Sequence, residues 1–289
     1  MIQDNNLQVR ILKNRLLYIV VCVFSALTAI PLLAILGEVL VKGWRQLNWT
    51  FLTEPTPNAF KAMMAMSAGE PIPGGIANGI IGTFLMLLIA AVIAIPVGIF
   101  CGICLSEFRG KWFATVVSYL TDLLQGTPSI IIGIITYIWV VVPMKGYSAF
   151  AGSVALFIMM LPLIIRSTEE TMKILPETLK EAGLALGGSY WRVMLQVMLP
   201  SAFGSIFTGI LLAISRVIGE TAPLMFTALG GAAISWNISR PMAAVPLMIW
   251  EFFNDPNLQS LIWGASLFLL TFVLCLNLLA KRIQKKWKV

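Results

Sequence analysis

The chain has 289 residues, 58% of them hydrophobic and 11% charged, with a formal net charge of +7. A soluble domain carries about 25% charged residues, so this composition and a mean hydropathy of +0.89 exclude a soluble globular domain and place the chain in a bilayer. The basic balance does not mark a nucleic-acid partner, because the lysines and arginines stand at the ends of apolar runs and not in one patch.

Six apolar stretches can each cross a hydrocarbon core, which needs about 20 helical residues. They are 16–41, 78–105, 113–142, 148–165, 201–229 and 258–280. The expected fold is all-α, a polytopic membrane protein of about six transmembrane helices. The first run follows Arg10, Lys13 and Arg15 and exceeds the roughly 7–15 apolar residues of a signal peptide, which predicts a retained anchor. Residues 42–77 read as a long external loop. Trp44, Trp49 and Phe51 suit the membrane interface, and its prolines and glycines predict irregular backbone. The fourth run is the shortest, and Pro162 is placed to kink it. Residues 230–257, with Trp236, Trp250, Phe252 and Phe253, either lie on the outer surface or re-enter.

Orientation follows from the basic residues. With both termini in the cytoplasm, fourteen lysines and arginines fall inside, among them Lys286 and Lys288. Five fall outside (Lys42, Arg45, Lys61, Lys145 and Arg240), and Arg216 lies within a span. The positive-inside rule favours this arrangement. It puts the stretch 176–200, PETLKEAGLALGGSYWRVMLQVMLP, in the cytoplasm. That stretch is too polar to span and too patterned to be slack. It reads as two short helices broken at Gly187 and Gly188.

The chemistry-bearing residues are few. There is no histidine, and the CxxC formed by Cys101 and Cys104 lacks a second pair, so the cysteines read as small membrane-buried thiols, with no metal and no cofactor expected. The only Gly-Lys pair, Gly110-Lys111, is followed by Trp112 and lacks the preceding glycine of a P-loop, so ATP is not bound by that motif. Without histidine, a metal cluster or a paired catalytic acid, intramembrane catalysis is disfavoured and the chain reads as no enzyme.

Ionisable groups inside spans cost about 2.5–3.5 kcal/mol on insertion scales. The fifth run carries Arg216 and Glu220, four residues apart and so expected on one helix face. They form either an internal ion pair that locks the bundle or part of a polar pathway where Arg216 meets a passing anion. Arginine suits oxyanions because its planar fork donates two parallel hydrogen bonds. Arg166 ends the fourth run, as a snorkelling anchor or a pathway residue. Asp122 reads as a packing or hydrogen-bonding group, since a carboxylate repels an oxyanion. Gly204, Gly209 and Gly219 read as sites of close helix approach.

The segment EAGLALG…VMLP resembles the EAA loop of the permeases of binding-protein-dependent ABC importers. Glu181, Ala182 and Gly183 stand for Glu-Ala-Ala, Gly187 for the following glycine, and Val197, Leu199 and Pro200 for the close; Gly183 departs from the second alanine. GGIANGIIGTF from Gly74, QGTPSIIIG from Gln125, LPLIIRSTEETMKILPETLKEAG from Leu161 and ISRVIGETAPLMFTAL from Ile214 are similar to the A-type permease family of phosphate-specific importers. The resemblance implies a type I ABC importer permease (MetI-like) fold. Residues 1–73 form a tail, first helix and external loop; 74–289 form the permease core, with a cytoplasmic coupling loop at 167–200. It implies a multi-pass protein of the bacterial inner membrane that supplies half of a path for inorganic phosphate. The implied partners are a homologous C-type permease, two copies of an ATP-binding subunit, an external phosphate-binding protein and the lipid bilayer, with no nucleic acid. Arg166 and Arg216 match functionally important basic residues of that family, with Glu220 beside Arg216, and Glu181 to Gly187 match its ATPase-coupling helix. Another oxyanion (phosphonate, sulfate or molybdate) stays open as substrate, as does an anion channel.

Overall fold

A computed structural model describes residues 2–70 and 72–286, with side chains for 7–70 and 72–285. Pro71, Lys288 and the Lys286 side chain lie outside those residues. The described residues are helical and contain no strand; one isolated bridge joins Leu229 and Met242. Five helical stretches are long and apolar enough to cross a membrane, and a bent pair supplies a sixth span if taken as one.

Helix α1 (Ile2–Trp44) stands apart from the rest. At 1.5 Å per residue it is about 65 Å long, roughly twice the hydrocarbon thickness. Residues 7–35 are exposed throughout, and only the final turns pack, against α14 (Leu261–Lys286). A Cβ on Gly43 would lie 2.6 Å from the Trp263 carbonyl oxygen, so these two helices touch through backbone. The following segment is more ordered than its prolines suggest. It holds α2 (Trp49–Thr53) and α3 (Ala59–Ala68). Asn48 starts α2 by accepting a 2.7 Å hydrogen bond from the Phe51 N–H, and the Phe51 ring is buried.

The core is the pair α4 (Ala77–Glu107) and α8 (Ala149–Ile174), which run parallel: Met86 lies by Gly152, Gly98 by Ile164 and Gly102 by Thr168. Small residues on α4 let it approach α8 closely. A Cβ at Gly98 would lie 2.6 Å from the Ile164 side chain, and one at Gly102 would lie 2.7 Å from the Ile165 carbonyl. Ser148 begins α8 by accepting from the Ala151 N–H at 3.1 Å. Helix α8 runs nine residues past the expected end at 165, and Pro162 lies inside it without ending it. Arg166 is therefore not at the close of the span but about two turns before it.

The third expected span is two helices, not one. Helix α5 (Trp112–Gly126) meets α6 (Ser129–Thr136) at a bend of 104°. The cause is local: Pro128 drives Thr127 out of the helical region to φ −73, ψ 130. From α6 the chain passes through a π-helical turn (Tyr137–Val141) into α7 (Val142–Met144).

The fifth expected span is also broken, and it starts earlier. After α9 (Glu177–Ala185), α10 (Tyr190–Val193), a π-helical turn (Met194–Met198) and α11 (Leu199–Val217) form one 28-residue apolar stretch. The second half of 176–200 is thus the beginning of a span, not a separate short helix. The π turns precede Pro143 and Pro200. A proline removes one hydrogen bond and crowds the carbonyl four residues back, and a wider turn relieves that clash. Helix α11 stops at Val217. A turn at 218–221 leads into α12 (Ala222–Thr227), which has Pro223 in its first turn, and α13 (Val245–Asn254) follows a loop. Of the three glycines expected at helix contacts, Gly209 is one, with a virtual Cβ 1.6 Å from Ser167 Oγ. Gly219 is not; it lies in the turn with open space around it. All four cysteines are free: Cys101 and Cys104 are half-buried on α4, and Cys22 and Cys275 are exposed on their helices.

Candidate functional site

The two arginines meet the same short helix, α5, near its bend. Arg166 is held from several sides. Its Nε donates to Asp122 Oδ1 at 3.0 Å and its Nη2 to the same oxygen. Nη2 also donates to the Ser118 carbonyl at 3.0 Å and to Ser118 Oγ at 2.8 Å, while Nη1 donates to Glu169 Oε2 at 2.6 Å. Glu169 is the buried member, with its side chain 6% exposed, and its other oxygen accepts from Lys173. The run Asp122, Arg166, Glu169, Lys173 therefore alternates in sign and sums to zero. It joins α5 to α8 inside the bundle, where an unpaired charge is costly.

Arg216 has a different setting. It is exposed and forms no ion pair among the described residues. It lines a crevice of about 20 Å³ with Gln125 and Thr127 from the α5–α6 bend and with Met159, Pro162 and Leu163 of α8. Gln125 follows Asp122 by three residues, so one face of α5 serves both arginines a turn apart. The expected Arg216–Glu220 pair on one helix face is not formed. The helix ends between them, and half-buried Glu220 lies in the turn that follows.

The charged stretch after α8 breaks at Gly187 as expected, but only its first half, α9, is a separate short helix, and the chain forms an elbow there. Helix α9 ends at Ala185, and Gly187 takes φ +81, a left-handed value that glycine adopts without cost. Glu181, Ala182, Leu184, Leu186 and Gly187 are exposed, with Leu186 90% open, whereas Leu179 packs inward on the core. Gly183 is a packing requirement: a Cβ there would come within 2.8 Å of Val193 Cγ1. Of the segment 167–200, the two ends belong to α8 and to the 190–217 helix, which leaves 175–189 as the free elbow.

Sequence reasoning gave Asp122 a bonding role, which it has, but it missed Ser118, Glu169 and Gln125. Glu169 had a usable signal, three residues from Arg166 and four from Lys173 on one helix. Ser118 and Gln125 had none, because their partners come from distant segments.

These features are those of a polytopic membrane component with a charged elbow exposed at one end. Residues 94–289 match the model of the family described as binding-protein-dependent transport system inner membrane component. The chain is 38% identical to the phosphate transport system permease protein PstA of Yersinia pestis, over 96% of this chain and 91% of that one. It is 35% identical to the protein of the same name in Haemophilus influenzae, over 81% of this chain and 84% of that one. Two solved structures share the fold. One is the MetNI methionine ABC transporter, with TM-score 0.61 and 18% identity over 73% of this chain and 95% of that one. The other is an amino acid ABC transporter solved with histidines, with TM-score 0.52 and 14% identity over 81% and 98%. The chain belongs to the binding-protein-dependent transport inner-membrane family and, within it, to the PstA permeases. It is accordingly a multi-pass inner-membrane transport component that works with other parts of a transporter.

Proposed function

We propose that this chain is the permease subunit of an ATP-driven, binding-protein-dependent importer of inorganic phosphate. Residues 74–289 form its permease core, beside a related C-type permease, over two ATP-binding subunits and below an external phosphate-binding protein. Both termini and α9 face the cytoplasm, as the positive-inside count favours. The phosphate transport relatives support the substrate.

The observation that carries the pathway reading is the exposed guanidinium of Arg216 on the protomer's surface, which forms no ion pair among the described residues. A charge in a span does not face hydrocarbon cheaply, so this side chain faces a partner subunit or a wet path. Its fork fits a phosphate oxyanion. Glu220, just beyond it, tempers the local positive charge and so favours release. Arg166 is a second pathway group whose fork opens to an anion only when Asp122 moves away. The exposed face of α9 around Glu181 and Ala182, with Gly187 just past its end, docks on the ATPase as a short helix in a groove, and Gly183 lets the opposite side of α9 pack on Val193.

The test is labelled-phosphate uptake by the reconstituted complex, with sulfate and phosphonate as competitors. Uptake that depends on ATP and the binding protein, and that a tenfold excess of either competitor leaves unchanged, is expected. Equal inhibition by sulfate would assign a broader oxyanion carrier. Flux without ATP would assign a channel.

A further inference from the structure

One carboxylate at the α9 end of the bundle joins three separate segments of chain. Glu107 is the last residue of α4, and its side chain is only 15% exposed. Its Oε2 accepts from the Lys180 ammonium of α9 and from the Tyr190 hydroxyl at the start of α10. The same ammonium lies 5.0 Å from the centre of the Tyr190 ring, close enough for a cation–π contact. Lys180, Tyr190 and Glu107 therefore close a triangle in which each member touches the other two. No other ion pair holds α9 among the described residues.

The position of this triangle gives it a mechanical meaning. Leu186 to Ser189 connect α9 to α10 through Gly187 and Gly188. Hydrogen bonds close this turn, from the Gly187 N–H to the Leu184 carbonyl (2.9 Å) and from the Gly188 N–H to the Gly183 carbonyl (3.3 Å), but it is built on the two residues whose backbone bends most freely. If α9 were tied to the frame only through that turn and a few apolar contacts, a push on α9 would be absorbed by bending there. The Glu107 clamp bypasses the turn. It fixes α9 to α4 on one side and to Tyr190 on the other, and from Tyr190 a continuous helical stretch runs to Arg216. We propose that Glu107 is a positioning residue for energy coupling: it makes α9, the end of α4 and the α10–α11 helix move as one body. A push delivered at α9 then reaches Arg216 instead of being lost at the glycines. This rests on the reading of α9 as the ATPase-docking helix.

The test uses the whole complex in proteoliposomes with its external binding protein and inorganic phosphate. Phosphate imported per ATP hydrolysed is the readout, because a purely structural residue would lower both rates together. Glu107→Ala is expected to keep the ATPase subunits bound while lowering that ratio at least about threefold, the scale of a lost charge-assisted network. Tyr190→Phe removes a single oxygen and one arm of the clamp, so a smaller drop, about twofold, is expected from a fold left intact. Glu107→Ala combined with Lys180→Gln is expected to be no worse than Glu107→Ala alone, since both break the same unit. A wild-type ratio in both Glu107→Ala and Tyr190→Phe overturns the proposal, as does an unchanged ratio in Tyr190→Phe if Glu107→Ala fails to assemble. The docking reading fails separately, if Glu181→Lys co-purifies with the ATPase as well as the native chain does.

Discussion

Arg166 and Arg216 are alike in type, and one bonds α5 while the other shares a crevice with its end, yet the structure treats them in opposite ways. Arg166 is enclosed by Asp122, Glu169 and Ser118, and each of its three nitrogens has a partner. Arg216 is exposed and forms no ion pair among the described residues. The difference shows that an arginine within a span is not a substrate contact by position alone. A guanidinium inside the protein must be neutralised by the chain itself, whereas one on the protomer's face is not held to that requirement.

The largest effect expected from breaking this contrast is at Arg216. Arg216→Gln removes the free charge and should lower phosphate uptake at least about tenfold, the worth of one hydrogen-bonded charge contact, without loss of assembly. Normal uptake by the intact variant would remove Arg216 from the pathway. The next effect is on stability, at the buried member of the other cluster. Glu169→Gln leaves Arg166 and Lys173 as neighbouring like charges, and thermal unfolding in detergent should report a loss of about 2–3 kcal/mol. Arg166→Lys keeps charge and loses the fork, so uptake should fall by a few-fold, roughly 1 kcal/mol, and the melting temperature by a few degrees. Full uptake would make Arg166 an anchor. The smallest effect is expected at Asp122, whose side chain is 56% exposed. Asp122→Asn should cost less than about 1 kcal/mol, because a carboxylate open to solvent gains little from its partner. A loss as large as that of Glu169→Gln would mean that α5 is held by Asp122 and not free to leave Arg166.

The α9 end of the bundle offers a second instance of the same contrast. Glu181 and Leu186 on α9 are exposed, and Lys180, one residue before Glu181, is turned inward to Glu107 and Tyr190. One face of a nine-residue helix is thus committed to the frame and the other is exposed.

The sequence by itself determined the membrane setting, the helical class and the amphipathic elbow, because apolar run length, the charge count and the glycines at 187 and 188 are local quantities. It also put Arg166 and Arg216 in apolar surroundings, where charges are rare and costly. The spans that were misread also carried local signals, in Pro128 before α6 and Pro223 after α11. A run of apolar residues conceals them, since hydropathy does not register a missing N–H. Tertiary structure alone decided which charges pair between helices. Asp122 and Arg166 are 44 residues apart, and Glu107 and Tyr190 are 83 apart. Which carboxylate meets which cation depends on how α4, α5 and α8 pack, and the close approach of α4 to α8 is permitted by glycines at 98 and 102, where no side chain intervenes. The pairs within α8, Arg166–Glu169 and Glu169–Lys173, follow from helical spacing, but pairing between helices is a consequence of packing that no spacing along the chain encodes.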